Sequence, residues 1–190
     1  MNQKRSVVVV YTGEGKGKTS AAIGLAVRAL GSGRSVAFVQ FVKSWEVSEH
    51  RFFAKIDEIY PERFTFYRGG KGFVKLGEHS ARDRETGTKI SLAEHKMAAQ
   101  ATLEFAKKCA TADKYDVVIC DEINVAVQQG LVSPDQMREL IISRNPSTSL
   151  CLTGRDWPNI LDDEADIITS MDKVKHHFDD GFIANVGIDY

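Results

Sequence analysis

Residues Gly13–Ser20, with the sequence Gly-Glu-Gly-Lys-Gly-Lys-Thr-Ser, have the composition of a loop that binds phosphate. The loop follows an apolar run at 7–10 and leads into a helical pattern at 21–30, so strand, loop and helix come in the required order. Glycines let successive backbone N–H groups turn toward phosphate oxygens, and the positive end of the helix dipole adds to their effect. The Lys18 ammonium can reach a terminal phosphate, and the Thr19 hydroxyl can ligate Mg²⁺. These residues predict a nucleoside triphosphate site.

The loop is one residue shorter than the common form. Four residues normally separate the first glycine from Gly17-Lys18-Thr19, but position 12 is Thr12, and Gly13 leaves only three. We therefore expect a tighter loop, and the motif alone does not define which phosphoryl group reacts. The predicted nucleotide-binding residues are Thr12, Gly13, Glu14, Gly15, Lys16, Gly17, Lys18, Thr19 and Ser20.

Two carboxylates, Asp121 and Glu122, follow the apolar run at 117–120. At a strand end this arrangement can hold Mg²⁺ opposite a phosphate-loop hydroxyl, here that of Thr19. Acidic pairs at strand ends also occur as simple solvated turns, but the phosphate loop in the same small domain favours a metal role. The predicted ligands of Mg²⁺, or of Mn²⁺ in its place, are Thr19, Glu122 and Asp121.

A cation, Arg155, follows shortly after the apolar run at 149–153. If this run is a strand of the same parallel sheet, Arg155 emerges at the edge that carries the phosphate loop. Its guanidinium could clamp phosphate oxygens with two hydrogen bonds, and the alternative is a surface ion pair. The predicted catalytic residues are Lys18, Thr19, Glu122 and Arg155.

The histidines and cysteines do not predict a transition-metal site. His176 and His177 are neighbours, which we expect to point apart, and no cysteine or carboxylate at the usual spacing completes a ligand set. Cys109, Cys120 and Cys151 are far apart in apolar segments. We therefore expect free, buried thiols, as in a protein of the reducing cytosol.

The elements that must position these residues alternate between short apolar runs and helical patterns, which predicts an α/β fold with a doubly wound, mainly parallel sheet. A helix is predicted from 92 to 109, with an apolar stripe spaced by four residues that we expect to pack in the core, and another begins at a capping box. The expected buried strands are 7–10, 35–42, 64–67, 115–120, 149–153 and 166–170; the stripe is Met97, Ala101, Phe105 and Cys109, and the capping box is Ser133 and Gln136.

The composition predicts one domain spanning residues 1–190. The chain is 43% hydrophobic, which is enough for one sizeable core. Its formal net charge of −1 gives no overall attraction to nucleic acid or to an anionic membrane. No apolar stretch approaches the length of a membrane span, so we expect a soluble, cytoplasmic protein without nucleic acid or membrane partners.

One segment, 68–89, has no clear periodicity and contains several glycines. Irregular stretches of this length in a compact domain are often functional, so we favour a substrate loop over an unstructured insertion. Its charged residues are mostly basic, which suggests a docking site for an acidic partner such as a flavodoxin-type reductant.

Several short motifs, spread over essentially the whole chain, occur together. They are the loop at 12–19, the runs 28–31 and 39–43, the strand end at 121–122, the run 152–155 and the tail 174–190. In this order they resemble the ATP:corrinoid adenosyltransferases of the CobA/CobO/BtuR type, which share the P-loop NTPase fold of RecA-like proteins. The tail departs from the family pattern at His177, where a proline is usual, and Glu14 stands where some members have asparagine.

The resemblance implies that a reduced corrinoid, with cobalt as Co(I), attacks the 5′ carbon of ATP and expels triphosphate. It also implies a homodimer, and ATP held in the reverse direction from ordinary ATPases. Relatives place a Gly-Phe-x-Trp stretch against the corrin; the corresponding residues here are Gly72-Phe73-Val74-Lys75, which makes Phe73 and Lys75 candidate corrinoid contacts.

Two other functions stay open at this point. A RecA-like ATPase would use Glu122 to orient water against the terminal phosphate, although no basic stripe supports a nucleic-acid-dependent motor. A non-catalytic corrinoid carrier would bind ATP only as an effector.

Overall fold

A computed structural model describes residues 6–43, 46–72, 74 and 90–189. Its centre is a six-stranded sheet in the order β3-β2-β4-β5-β1-β6, and every pair of neighbouring strands is parallel. The predicted parallel sheet is therefore confirmed. The strands are β1 Val8–Thr12, β2 Val36–Gln40, β3 Phe64–Arg68, β4 Val117–Asp121, β5 Ser149–Thr153 and β6 Ile167–Ser170.

Helices cover both faces of the sheet, because the strand side chains point alternately to each face. On one face, strand residues such as Phe38 and Ile119 pack against α1 and α2. On the other face, strand residues such as Val39 and Cys120 pack against α3, α4 and α5. The helices are α1 Lys18–Gly31, α2 Ser48–Ile59, α3 Leu92–Thr111, α4 Ile123–Gln128 and α5 Pro134–Ser143, with short 3₁₀ helices at Asn159–Glu164 and His177–Asp180.

The predicted capping box of α5 is confirmed. The Ser133 hydroxyl accepts a hydrogen bond from the Gln136 backbone N–H, and the Gln136 side chain accepts one from the Ser133 N–H. The same arrangement begins α3, where Ser91 and Glu94 satisfy each other. Both helices thus begin where local side chains satisfy otherwise unpaired backbone groups.

The core prediction for the stripe on α3 is confirmed for Cys109, which is buried, and for Phe105, which packs against the core, but it is wrong for Met97 and Ala101. Met97 is 73% exposed and Ala101 is also exposed, whereas Ala99, Leu103 and Ala106 are buried. A spacing of four residues advances about 40° beyond a full helical turn at each step, so the stripe drifts around the helix. The core face instead follows the mixed three- and four-residue spacing of an amphipathic helix.

The strand β6 also departs from the prediction of a buried strand. It lies at the edge of the sheet and pairs only with β1 among the described strands. Ile167 and Ile168 are 48% and 41% exposed. A run of apolar residues predicted the strand correctly, but its position at the sheet edge leaves it uncovered.

Candidate functional site

The register of the sheet brings polar strand ends together at one edge. Gln40 at the end of β2 pairs with Asp121 at the end of β4. Thr153 at the end of β5 pairs with Tyr11, one residue before Thr12 ends β1. Because parallel strands present their carboxyl ends at the same edge, the phosphate loop, the acidic pair and Arg155 all emerge there, as the sequence predicts.

The phosphate loop ends at Gly17, which caps α1 in the left-handed conformation with φ 112°. That conformation favours glycine. Lys18 begins the helix, and its ammonium donates hydrogen bonds to the carbonyl oxygens of Gly13 and Gly15 at 2.6 and 2.7 Å. Burial lowers the pKa of Lys18. The lysine is therefore folded over the loop, with its charge directed at the loop centre where phosphate oxygens would lie.

The chain after β6 supports the loop from behind. The Gly15 N–H donates to the Met171 carbonyl oxygen at 2.6 Å, and a Cβ on Gly15 would lie only 2.5 Å from the Asp172 carbonyl oxygen. Gly13 makes an equally close approach to Met171. The Gly15 amide of the phosphate loop is thus hydrogen-bonded to a protein carbonyl oxygen. These glycines serve the close contact between two chain segments as well as the loop's turns.

Asp121 is fully buried, and both of its carboxylate oxygens accept hydrogen bonds. The Gln40 amide nitrogen donates to one oxygen at 2.9 Å, and the Thr153 hydroxyl donates to the other at 2.7 Å. A buried charge needs such partners, because desolvation without them is costly. Asp121 is therefore held inside the protein, while Glu122 lies on the wall of the adjacent cavity.

Glu122 adopts a left-handed backbone with φ 62°, which few residues other than glycine adopt. Its backbone N–H donates to the Thr153 hydroxyl oxygen at 3.0 Å. Burial, followed by the negative charge of Asp121, raises the pKa of Glu122 to about 7, although Lys43, Lys18 and Arg155 act in the opposite direction. A further positive charge beside Glu122 would favour its ionised form.

Two further cations line the same cavity. The Lys43 ammonium lies 3.0 Å from a Glu49 carboxylate oxygen; burial works to lower the pKa of Lys43, but Asp121 and Glu49 outweigh it, so the net shift is upward. Arg155 pairs with Glu14 at 3.1 Å across the phosphate loop, and both side chains are more than half exposed. Both contacts leave positively charged groups at the cavity surface.

The cavity has a volume of about 980 Å³ and is open to solvent. Of the predicted nucleotide-binding residues, Glu14 to Ser20 line it, whereas Thr12 and Gly13 do not. The Thr12 hydroxyl instead accepts a hydrogen bond from the Trp157 backbone N–H at 3.4 Å. The structure therefore brings all four predicted catalytic residues to one space: Lys18, Thr19, Glu122 and Arg155.

The tail folds over the phosphate loop and contributes Asp189. This carboxylate accepts a hydrogen bond from the Lys16 ammonium and another from the Asn185 backbone N–H. The Asn185 hydrogen bond, followed by that of Lys16, lowers the pKa of Asp189 to about 2. His177 Nε2 lies 3.3 Å from the same carboxylate. The tail is thus attached to the loop by charge.

The expectation that His176 and His177 point apart is wrong. Their rings stack with centroids 4.7 Å apart. His176 is extended, whereas a 3₁₀ helix begins at His177, and this bend turns the two side chains to the same side. Asp189 joins them, so that one donor atom of each of the three residues lies within 4.8 Å of the others.

Several sequence predictions concern parts of the chain outside or near the edge of the described residues. The candidate corrinoid contacts Phe73 and Lys75 lie outside them, as do residues 76–89 of the basic segment.

The prediction of free thiols is confirmed, since Cys109, Cys120 and Cys151 are buried and unpaired. Within the described ranges, no helix is both long and apolar enough to cross a membrane.

The donor set fits a hard cation such as Mg²⁺. Thr19 offers a hydroxyl oxygen and Glu122 a carboxylate oxygen to the same cavity. Burial and the charge of Asp121 raise the pKa of Glu122, and a cation bound in the cavity would oppose both effects. Mg²⁺ is bound in nucleotide sites by one or two such oxygens together with phosphates and water.

Sequence reasoning did not identify Gln40, Lys43 or His50. Gln40 could have been found, because it is a polar residue inside a run expected to be a buried strand. His50 belongs to α2, whose only buried residues are His50, Phe53 and Ile56. Because only three positions of α2 are buried and many others are charged, its sequence shows no clear hydrophobic pattern of a helix.

The parallel sheet and the glycine-rich loop after its first strand have the α/β fold of the RecA-like P-loop proteins. The crystal structure of the RadB recombinase is similar to this chain with a TM-score of 0.50 and 14% sequence identity, covering 91% of this chain and 77% of that one. At this identity the similarity concerns the fold alone.

The model of the family "ATP:corrinoid adenosyltransferase BtuR/CobO/CobP" matches residues 4–190, and the chain belongs to this family of transferases. The corrinoid adenosyltransferase of Pseudomonas aeruginosa is 31% identical over 98% of this chain and 85% of that protein. The corrinoid adenosyltransferase CobA of Salmonella typhimurium is 30% identical over 99% and 87%, respectively. The general reaction of the family is the ATP-dependent transfer of an adenosyl group to a corrinoid.

Proposed function

We propose that the protein transfers the 5′-deoxyadenosyl group of ATP to Co(I) of a reduced corrinoid and releases triphosphate. The observation that carries the proposal is the convergence of Lys18, Arg155 and Glu122 on one cavity in a chain of this family. The cobalt electron pair forms the bond to the 5′ carbon as the bond from that carbon to oxygen breaks. The electrons of the broken bond leave with the triphosphate.

In this reaction the protein must hold and neutralise the leaving group. Lys18, together with the loop amides and the positive end of α1, would bind phosphate oxygens. Arg155 would exchange its exposed ion pair with Glu14 for a phosphate contact. The nucleophile brings its own electron pair, so no side chain has to remove a proton.

Thr19 and Glu122 would hold Mg²⁺, and the buried Asp121, which the sequence predicts as a third ligand, would support them with its negative charge from within the protein. The metal would neutralise charge that accumulates on the triphosphate. Mn²⁺ is a suitable substitute because it also prefers oxygen ligands. Each of the predicted metal ligands thus has a distinct role, and mutating them one at a time distinguishes these roles.

Product analysis tests the proposed reaction. ATP and a chemically reduced corrinoid are incubated with the protein, and the products are separated by chromatography. Triphosphate and an adenosylated corrinoid in equal amounts support the proposal. ADP and phosphate would instead identify an ATPase, and unchanged ATP with bound corrinoid would identify a carrier.

We also propose that Phe73 and Lys75 contact the corrin, with lysine replacing the tryptophan of relatives. An ammonium prefers water and fills an apolar slot poorly, so a tethered lower base of the corrinoid should be displaced less well. We expect a preference for corrinoids without that base, and Lys75→Trp should improve adenosylation of complete cobalamin. Equal activity of wild type and Lys75→Trp on cobalamin and cobinamide would contradict this assignment.

The basic segment 68–89 is proposed to dock an acidic, flavodoxin-type reductant. Electrostatic attraction mainly raises association rates and is screened by salt. Added salt should therefore slow an assay coupled to the reductant more than one with chemically generated Co(I). Equal salt sensitivity of the two assays would remove the reason for this partner.

A further inference from the structure

A row of buried polar side chains connects α2 with the strand end that carries Glu122. His50 Nε2 lies 2.7 Å from the Gln40 side-chain carbonyl oxygen, and the Gln40 amide nitrogen donates to Asp121 at 2.9 Å. Thr153 joins the other oxygen of Asp121 to the Glu122 backbone N–H. His50 is 9% exposed, and Gln40, Asp121 and Thr153 are 0% exposed.

The direction of each hydrogen bond is fixed from the His50 end. The Val47 backbone N–H donates to His50 Nδ1 at 3.4 Å, and the Arg68 guanidinium lies 3.5 Å from the same atom. Both neighbours are donors only, so Nδ1 must accept and Nε2 must carry the proton. His50 therefore donates to Gln40, and the Gln40 side chain has one orientation in which its NH₂ group faces Asp121.

The hydrogen-bond directions are also fixed at the other end of the row, at Asp121 and Thr153. Asp121 can only accept, so the Thr153 hydroxyl proton is used on its carboxylate. The lone pairs of the same hydroxyl are then the groups available to the Glu122 N–H. Each hydrogen bond in the row thus has one direction, and a change at either end leaves a buried polar group without its partner.

The row ends at Glu122, whose left-handed backbone conformation is unfavourable for a residue other than glycine. A left-handed conformation for a residue other than glycine costs on the order of 1 kcal/mol and persists only where neighbours fix it. At Glu122 the backbone is held by the hydrogen bond of its N–H to Thr153 and by its carbonyl oxygen, which accepts from the Ala126 N–H at 3.2 Å. An apolar row at these positions would fill the sheet interior as well, but it would lack the contact to the Glu122 N–H.

We propose that Thr153, Gln40 and His50 are positioning residues that act through Asp121 to hold Glu122 in the orientation that binds the metal. The inference rests on the proposed function in one respect, since it takes a divalent metal to bind at Glu122 with the nucleotide. Asp121 then contributes charge and orientation from within the protein. Partners that orient metal ligands in this way typically change metal affinity by 10- to 100-fold when they are removed.

Thr153→Val tests the row against a matched control, Thr148→Val, at the opposite end of β5. Thr148 immediately precedes β5, is 1% exposed and donates its hydroxyl to the Tyr115 carbonyl oxygen at 2.7 Å. Thr148→Val removes a buried hydroxyl of the same kind at the other end of the strand. Mn²⁺ is titrated by electron paramagnetic resonance with ATP present and corrinoid absent. We expect about tenfold weaker Mn²⁺ binding in Thr153→Val and less than a twofold change in Thr148→Val.

Gln40→Met removes the hydrogen bond on the other side of Asp121. If Thr153→Val does not fold, this variant by itself tests whether the row affects metal affinity. It should also weaken Mn²⁺ binding about tenfold. Mn²⁺ affinities in both variants equal to that of Thr148→Val would overturn the proposal. So would a nitrogen NMR spectrum with the neutral His50 ring protonated at Nδ1. Because the titration uses no corrinoid, it stands apart from the product analysis, which tests the proposed reaction.

Discussion

Two walls of one cavity carry their charges in opposite ways. The wall at the strand ends holds Asp121 fully buried, with each oxygen bonded to a neutral side chain. The tail holds Asp189, whose side chain is 3% exposed, against Lys16, whose side chain is 45% exposed. Charge in the first wall is surrounded by buried hydrogen-bond partners, and charge in the second depends on an ion pair whose cation is open to solvent. We therefore expect chemistry to depend on the strand ends and access to depend on the tail.

The largest expected effect is the loss of the buried loop lysine. Lys18→Ala removes the charge that would face the triphosphate, and deleting one preorganised contact of this kind typically lowers turnover by about 10²- to 10³-fold. Triphosphate release from ATP and reduced corrinoid is the measurement. Lys108→Ala is the control, because Lys108 is an exposed lysine of α3 that does not line the cavity. Near-normal turnover in a folded Lys18→Ala protein would contradict the role given to the loop.

The next effect concerns Glu122 and pH. Its pKa is about 7 in the folded protein against 4.5 for an unperturbed glutamate, so between these values the folded state binds the extra proton. Stability without metal should therefore fall as pH rises through this window, by about 3 kcal/mol. Glu122→Gln cannot titrate and should lack this component. Denaturant unfolding of both proteins at pH 5 and pH 8 measures it.

The same experiment with Mg²⁺ and ATP sharpens the comparison. A ligand that binds the ionised carboxylate should recover stability at pH 8 in the wild type, and recover less in Glu122→Gln. Identical pH dependence of wild type and variant without metal would mean that Glu122 is already ionised in the folded protein. Asp121→Asn separates the two carboxylates: a greater loss of Mg²⁺ dependence there than in Glu122→Gln would make Asp121 the direct ligand.

The smallest effect is expected in the tail. Asp189→Asn removes the charged partner of Lys16, and an ion pair whose cation is half exposed contributes little to stability. We expect a small loss of stability that disappears at high salt, and turnover within about threefold of the wild type. Thermal unfolding at low and high salt and the triphosphate assay are the measurements. A loss of turnover as large as that of Lys18→Ala would abolish the distinction between the two walls.

The phosphate loop and the sheet could be predicted because their signals are local. A glycine-rich loop between an apolar run and a helix defines its own conformation, and each strand appears as a short apolar run. Arg155 could be placed because parallel strands share one carboxyl edge. The strand bounds differ from the predicted runs by only a few residues.

The remaining features depend on contacts between distant parts of the chain. His50 meets Gln40 only after α2 has packed on the sheet, where Phe53 contacts Phe38 with ring centroids 4.8 Å apart. Asp189 meets Lys16 from 173 residues away. Neither sequence spacing nor composition contains these pairings, so the buried row and the attachment of the tail required the structure.

The hydrogen bond between Gly15 and Met171 has a consequence for folding during synthesis. When the phosphate loop emerges from the ribosome, β6 and the residues that follow it have not yet been synthesised. Contacts so distant in sequence form late, because closing a long loop costs entropy before any contact stabilises it. Nucleotide should therefore bind poorly to nascent chains that stop before β6.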